Sequence, residues 1–250
     1  MTDSTSSDSQ GSRLIPNLVA FFLALALAWF LKWEPTDLVW SLWLGSLVIG
    51  YATVLVRIGY GFKIGWAIVR DDEFEGPGKL PAILIGLAIG LFLLGFFSLH
   101  FCGFHAGHSA FLNIFFPLPD LPEMGFSNAF MNPFLLWKQV FQYLLIPYGL
   151  FLIPALIVER KNLLKPFRKD LSPEEEEPSH LEDRKKDFTE DLFAGPYKNV
   201  IRMHLLIFFF AGCHLLKVDS FVIYAVVSTV YFFPWSECKS WWQERSDSTR

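Results

Sequence analysis

Residues 81–116 read "PAILIGLAIGLFLLGFFSLHFCGFHAGHSAFLNIFF", 36 positions without one Asp, Glu, Lys or Arg. As a helix this stretch would extend about 54 Å, at 1.5 Å per residue, against a hydrocarbon core of about 30 Å. Two crossings would need a polar turn in the middle, and none is written there. The stretch therefore reads as one long helix, tilted, kinked or lying partly in the interface. Gly86, Gly90, Gly95, Gly103 and Gly107 offer places to bend or pack closely.

Working outward, five more apolar runs approach membrane length. They are Leu14–Leu31, Leu38–Arg57 (trailing on through Gly59–Val69), Pro133–Val158, Lys198–Leu216 and Phe221–Pro234. Pro147 and Pro154 fall inside the fourth span, where neighbouring helices satisfy the carbonyls that a proline frees. Over the 250 residues, 52% are hydrophobic and only 18% charged; soluble chains have about 25% charged residues. The fold class expected is all-α: a polytopic transmembrane helical bundle of about six spans, with a charged loop between spans four and five. The units are a disordered N-terminus (1–13), spans one to four (14–159), the charged loop (160–197), spans five and six (198–235) and a tail (236–250).

The basic residues orient this bundle. With the N-terminus in the cytoplasm, Arg13, Arg57, Lys63, Arg70, Lys79, the group from Arg160 to Arg202, Lys239, Arg245 and Arg250 all fall inside. Lys32, Lys138 and Lys217 fall at or near the outer ends. The asymmetry obeys the positive-inside rule and puts both termini in the cytoplasm of an inner (plasma) membrane protein. "MTDSTSSDSQGS" (1–12) is polar and acidic, unlike the basic start of a signal peptide, so the first apolar run is read as retained. The loop carries "SPEEEEPSHLEDRKKDF" (172–188), where Ser172 with Glu175 and Ser179 with Glu182 fit capping boxes. Its basic ends suit anionic lipid, making the bilayer the expected partner. No nucleic-acid signature and no internal repeat is present. The three cysteines, Cys102, Cys213 and Cys238, are an odd number with two in apolar runs, which excludes a disulfide framework.

Three histidines stand in "HFCGFHAGH" (100–108). At 100° per residue, His100, His108 and His105 fall at about 0°, 80° and 140° on one broad helical face. Gly103 and Gly107 form a small-xxx-small pair on another side, suited to close approach of a second helix. Spans three and five run the same way across the membrane. His204 then lies about 18 Å below Leu216, and His105 about 16 Å below Phe116, so the two share a depth.

Three readings stay open. His105 and His108 with His100 or His204 would give a three-nitrogen metal site with an open position, or His204 with His100 or His105 the axial pair of a haem. No carboxylate accompanies them in the apolar runs. Titrating beside a hydrated cavity, the same residues would serve transport or a proton relay. As neutral imidazoles bonded across helices, they would be structural links worth about 0.6 kcal/mol each. Ser109 beside His108 has no acid partner or nucleophile elbow. With no carboxylate pair or phosphate loop either, the chain reads as a non-enzyme. Six histidines in all are too few for the boxes of a membrane desaturase. Trp29, Trp33, Trp40 and Trp43 fit an outer aromatic belt, and Glu34 and Asp37 flank an outer turn at Pro35.

Three stretches, "WLGSLVIG" (43–50), "FFSLHFCGFHAGHSAFL" (96–112) and "PYKNVIRMHLLIFFFAG" (196–212), together resemble a prokaryotic integral-membrane family, domain of unknown function 6498. The resemblance points to His100, Phe104, His108, Pro196, Tyr197 and His204 as motif positions, with His105 extra to the pattern. Where that pattern has an acidic residue followed by Asn in the second helix, this chain has Gly45 and Ser46. Its closing segment, "FFPWSECKSWW" (232–242), also differs from the Lys-and-Asp-bearing end of the pattern. The resemblance implies an architecture and names residues, and it implies no reaction. The orientation has a direct check: a reporter fused after Arg250 should be accessible from the cytoplasmic side alone, and labelling from outside would remove it.

Overall fold

The long run at 81–116 forms a single helix and pairs with the one before it. The computed structural model of the protein describes residues 4–70, 79–169, 201, 205, 208–213, 215–217, 221–235, 238, 239, 242, 243 and 246. Regular structure among them is helical throughout. The helices are α1 (Ser4–Phe30), α2 (Pro35–Arg70), α3 (Lys79–Phe115), α4 (Pro133–Tyr143), α5 (Leu145–Tyr148), α6 (Leu152–Lys169) and α7 (Phe221–Phe232), with 3-10 turns at Ser127–Ala129 and Gly149–Phe151.

The α2–α3 hairpin is in antiparallel register along its whole length. The Trp40 indole donates to the Phe116 carbonyl at 2.9 Å and Trp43 to that of His105 at 3.2 Å. Further down, Phe101 covers Gly50 and the Phe62 ring reaches Gly90. Gly50 is what lets the helices close: a Cβ there would stand 2.2 Å from Phe101 Cζ. Trp40 and Trp43 are completely buried, so they belong to the core and not to an interfacial belt. Trp29, 66% exposed, keeps a position suited to the belt.

The sequence of the α1–α2 turn explains its shape. Lys32 adopts φ 51°. Its N–H bonds Trp29 O at 3.2 Å and the next one, on Trp33, bonds Ala28 O at 2.9 Å, the double closure of a Schellman motif. Pro35 then opens α2, where a missing N–H costs nothing, while the Glu34 N–H is accepted by Asp37 Oδ2 at 2.8 Å. Trp33 packs on Tyr148 and Phe151, and the Tyr148 hydroxyl donates to Asp37 Oδ1 at 2.9 Å. This ties the α1–α2 turn to the α5–α6 junction.

α2 lies between α3 and α6, and α1 packs on α6 and α7. Ala155 of α6 and Phe151 of the turn before it reach Gly45, and Arg160 donates to Asn17 of α1 and to the Ile157 carbonyl. Phe21 and Trp29 of α1 meet Phe233 and Phe221 edge-on. α1 is helical from Ser4, inside the stretch expected to be unstructured, and α6 continues to Lys169, into the expected loop.

The fourth span differs from expectation. It is no single straight helix: α4 ends at Tyr143, and the helix from Leu145 onward is bent from it by 63°. Pro147 has no N–H to offer Tyr143 O and its ring crowds that carbonyl, and Pro154 repeats the defect one stretch later. Two described helices, Pro35–Lys63 and Ile83–Phe115, are long and apolar enough to cross a membrane, or three spans if the bent pair counts as one. The apolar part of α1, Leu14–Phe30, is shorter. Their surroundings differ: 61% of the α2 window is buried but 11% of the α3 window. α3 leaves Leu84, Ile85, Ile89, Leu91 and Phe92 exposed. Water would forfeit about 1.5–3 kcal/mol for each such side chain left uncovered.

The Gly50 contact gives a clean expectation. Gly50→Ala should cost about 1–3 kcal/mol through overpacking, read as a lower melting temperature in detergent. Gly59→Ala, where a Cβ meets nothing within 4 Å, should leave it unchanged or higher.

Candidate functional site

Helix geometry separates the three histidines of α3. His105 points into the α2–α3 interface and is completely buried. Its Nδ1 lies 3.0 Å from Phe101 O, one turn back on its own helix, and its Nε2 lies 3.4 Å from Ser46 Oγ on α2. An Nδ1–H tautomer donates to the carbonyl and leaves Nε2 to accept from the serine hydroxyl. Phe101 and Trp43 flank the ring, with centroids 4.3 and 5.5 Å away.

His108 is half-buried beside it, its ring 6.3 Å from that of His105 and also 6.3 Å from Phe104. His100 is on the exposed side, about 140° round the helix from His105. Its ring stacks on Phe96 at 5.6 Å and meets Phe104 edge-on at 4.8 Å. Within α3, His105 thus turns towards α2 while His100 turns away from it. Among the described residues no group of three His, Cys, Asp or Glu converges on a point that could hold a metal. His100 and His105 stand about 140° apart on the helix, and both nitrogens of His105 already have neighbours. His204, Pro196 and Tyr197 lie outside the described residues, as do His180 and His214.

Gly103 and Gly107 do serve close approach, but of a turn. A Cβ on Gly103 would lie 3.1 Å from the Phe130 carbonyl, and Gly107 faces the ring of the same residue. The segment 117–132 thus folds back along α3 from Phe116 to the level of Gly103, a return of roughly 20 Å at 1.5 Å per residue. The chain regains the α1–α2 turn at Tyr148, beside Asp37.

Polar side chains of α3 hold this re-entering backbone. Ser109 Oγ donates to Ala106 O and accepts from Phe126 N–H, both at 2.7 Å. The Asn113 amide donates to Pro122 O and Glu123 O at 3.1 Å, and its oxygen accepts from Leu118 N–H at 3.2 Å. Gly125 passes Ser109 at φ +56° with no room for a Cβ, which would sit 2.7 Å from the Ser109 carbonyl. Asn132 caps α4 by accepting from Leu135 N–H at 3.0 Å. Ser109 is thus a structural anchor and not a nucleophile. Sequence reasoning passed over Asn113 and Gly125; the signal was a polar amide near the end of an apolar helix, followed by "PLPDLPEMG" (117–125).

Deeper, the Tyr51 hydroxyl and Cys102 Sγ are 3.0 Å apart, with Trp137 against the Tyr51 ring at 5.1 Å. Arg57, expected at the inner end of the second span, is buried (6% exposed) inside a helix that continues to Arg70. An all-α fold with two or three apolar helices of membrane length has the make-up of an α-helical membrane protein. The chain belongs to a family of unknown function, DUF6498, whose model matches residues 4–230. Neither a curated protein nor a solved structure matches it.

Ser109→Ala should strand the buried Phe126 N–H at a cost of about 1–3 kcal/mol. Hydrogen exchange over 117–130 should rise sharply while exchange in α2 stays slow. Equal protection in the variant would show that the loop is held by something else.

Proposed function

We propose that this chain is a six-span, non-enzymatic protein of the inner membrane, both termini cytoplasmic, in which His105 joins helices and ligates neither metal nor haem. One observation carries the reading: His105 is fully buried with one ring nitrogen beside Phe101 O and the other beside Ser46 Oγ. A buried imidazole so placed satisfies its polar atoms and fixes the rotation of α3 against α2. Such a bond is worth about 0.6 kcal/mol on average in membranes. It adds specificity to a packing that Gly50 and Phe101 already favour. The basic residues of the 160–197 loop would meet anionic headgroups of the cytoplasmic leaflet.

A second reading, a proton relay, takes support from a different contact. Phe210 packs on Phe116 with ring centroids 6.0 Å apart, so helical residues 208–213 lie beside the outer end of α3. His204 precedes Phe210 by six positions in sequence, which would bring it near the depth of His108. Flux that depends on pH in vesicles, abolished by His108→Asn, distinguishes this reading.

The first test is elemental analysis and a visible spectrum of untagged protein purified in detergent. The expected result is no stoichiometric metal and no Soret band, with His105→Asn near wild-type stability and His105→Leu lower by about 1 kcal/mol or less. Bound metal or haem that disappears in His105→Ala would overturn the proposal.

A further inference from the structure

The α2–α3 hairpin is longer than the bundle it belongs to. Ala155 of α6 sits against Gly45 of α2 and both helices run the same way, so Arg160 is near the level of Gly50 and Phe101. There it bonds Asn17, and the sequence turns charged with Glu159, Arg160 and Lys161. Yet α3 continues from Phe101 back to Lys79, and the part from Phe101 to Ile83 alone covers about 27 Å at 1.5 Å per residue. No charged residue interrupts it.

Its exposed side chains include Leu84, Ile85, Leu87, Ile89, Leu91 and Phe92, joined on α2 by Phe62 and Trp66. Arg57 on this part of α2 is buried, and Lys63, beside Phe62, is the charge it exposes. Set upright with Arg160 at the headgroups, the hairpin would hold all of this in the cytoplasm.

We propose that the inner third of the hairpin, residues 59–66 and 83–97, is an apolar wedge lodged among the acyl chains of the cytoplasmic leaflet, with the hairpin steeply inclined. It rests on the membrane placement proposed above. The occupant of the exposed face is lipid, on three grounds. The apolar window Ile83–Phe115 is 33 residues, about 50 Å, and fits a core of about 30 Å when inclined on the order of 50°. That lean lessens the depth between Arg160 and Lys63, whose long side chain can snorkel towards anionic headgroups. Trp66, 60% exposed near the hairpin end, stands where an interfacial indole belongs.

Glycines without neighbours make the test gentle. A Cβ at Gly59 or at Gly86 meets nothing within 4 Å, so nitroxide labels at Gly59→Cys and Gly86→Cys disturb no packing. They are placed on the full chain with Cys102→Ala, Cys213→Ala and Cys238→Ala, in phosphatidylglycerol-containing vesicles. Should that background not fold, Cys102, which is fully buried, is kept. Leu99→Cys, labelled on exposed α3 nearer the middle, is the control. Both glycine-site labels should be relaxed by oxygen and shielded from a water-soluble nickel chelate, as at Leu99. Relaxation by nickel at Gly86 with Leu99 shielded would overturn the wedge and leave the membrane reading standing; nickel access at Leu99 would sink both. Shielding of Gly86 from oxygen and nickel alike would mean that protein, such as a second copy, covers the face, and the proposal fails.

Discussion

Phe101 lying over Gly50 is the contact from which the rest of the described structure follows. A side chain at position 50 would hold the helices apart. With hydrogen alone there, α2 and α3 approach closely enough for Trp43 to reach the His105 carbonyl and for His105 to reach Ser46. One register then serves every later interaction. It puts Trp40 on Phe116 at one end and Phe62 on Gly90 at the other. Hydrophobic contrast does not choose this register in a bilayer, since both helices would be equally apolar against lipid. Shape and a few buried polar bonds decide it.

The same economy appears at the C-terminal end of α3. A segment without helical bonds, returning along α3, would carry orphaned carbonyls and N–H groups into an apolar environment, where each costs several kcal/mol. Ser109 and Asn113 meet this demand at several backbone groups between Leu118 and Phe126. These residues look out of place in an apolar run until the returning backbone is beside them. Gly125 belongs with them, because its positive φ and its closeness to the Ser109 carbonyl exclude any side chain. Two connections thus obey one rule: the turn at Lys32 closes on its own helix, and the returning segment, which ends in the cap at Asn132, is bonded by side chains of α3.

How much of this was legible in the sequence depended on range. The single helix from 81 to 116 followed from the absence of charge, and Pro35 with Asp37 marked the outer turn. The break in the fourth span was written in Pro147, but a proline in a membrane helix can kink, break or be absorbed, and the neighbours decide which. Helical angles placed His100, His105 and His108 on one broad face. Whether 140° of arc is one site or two depends on what stands opposite, and α2 covers only the His105 side. Trp40 and Trp43 read as belt residues because composition does not reveal that Phe126 and His105 wait against them. Position along the helix was readable; the identity of the opposing surface was not.

The departures from the family pattern gain meaning in this light. The pattern's acidic position corresponds to Gly45, and that glycine faces Phe151 and Ala155 of α6, away from the histidines. A longer side chain at that position would stand in the α2–α6 contact. The pattern's Asn position corresponds to Ser46, which does face the histidines and is the partner of His105, the residue extra to the pattern. The two differences therefore touch. The imidazole packs beside Ser46 with a ring that supplies both a donor and an acceptor. No carboxylate is brought to the histidine face by either change. A ligand set built on an acidic residue would need one there, whereas a link between helices needs only what Ser46 and the Phe101 carbonyl provide.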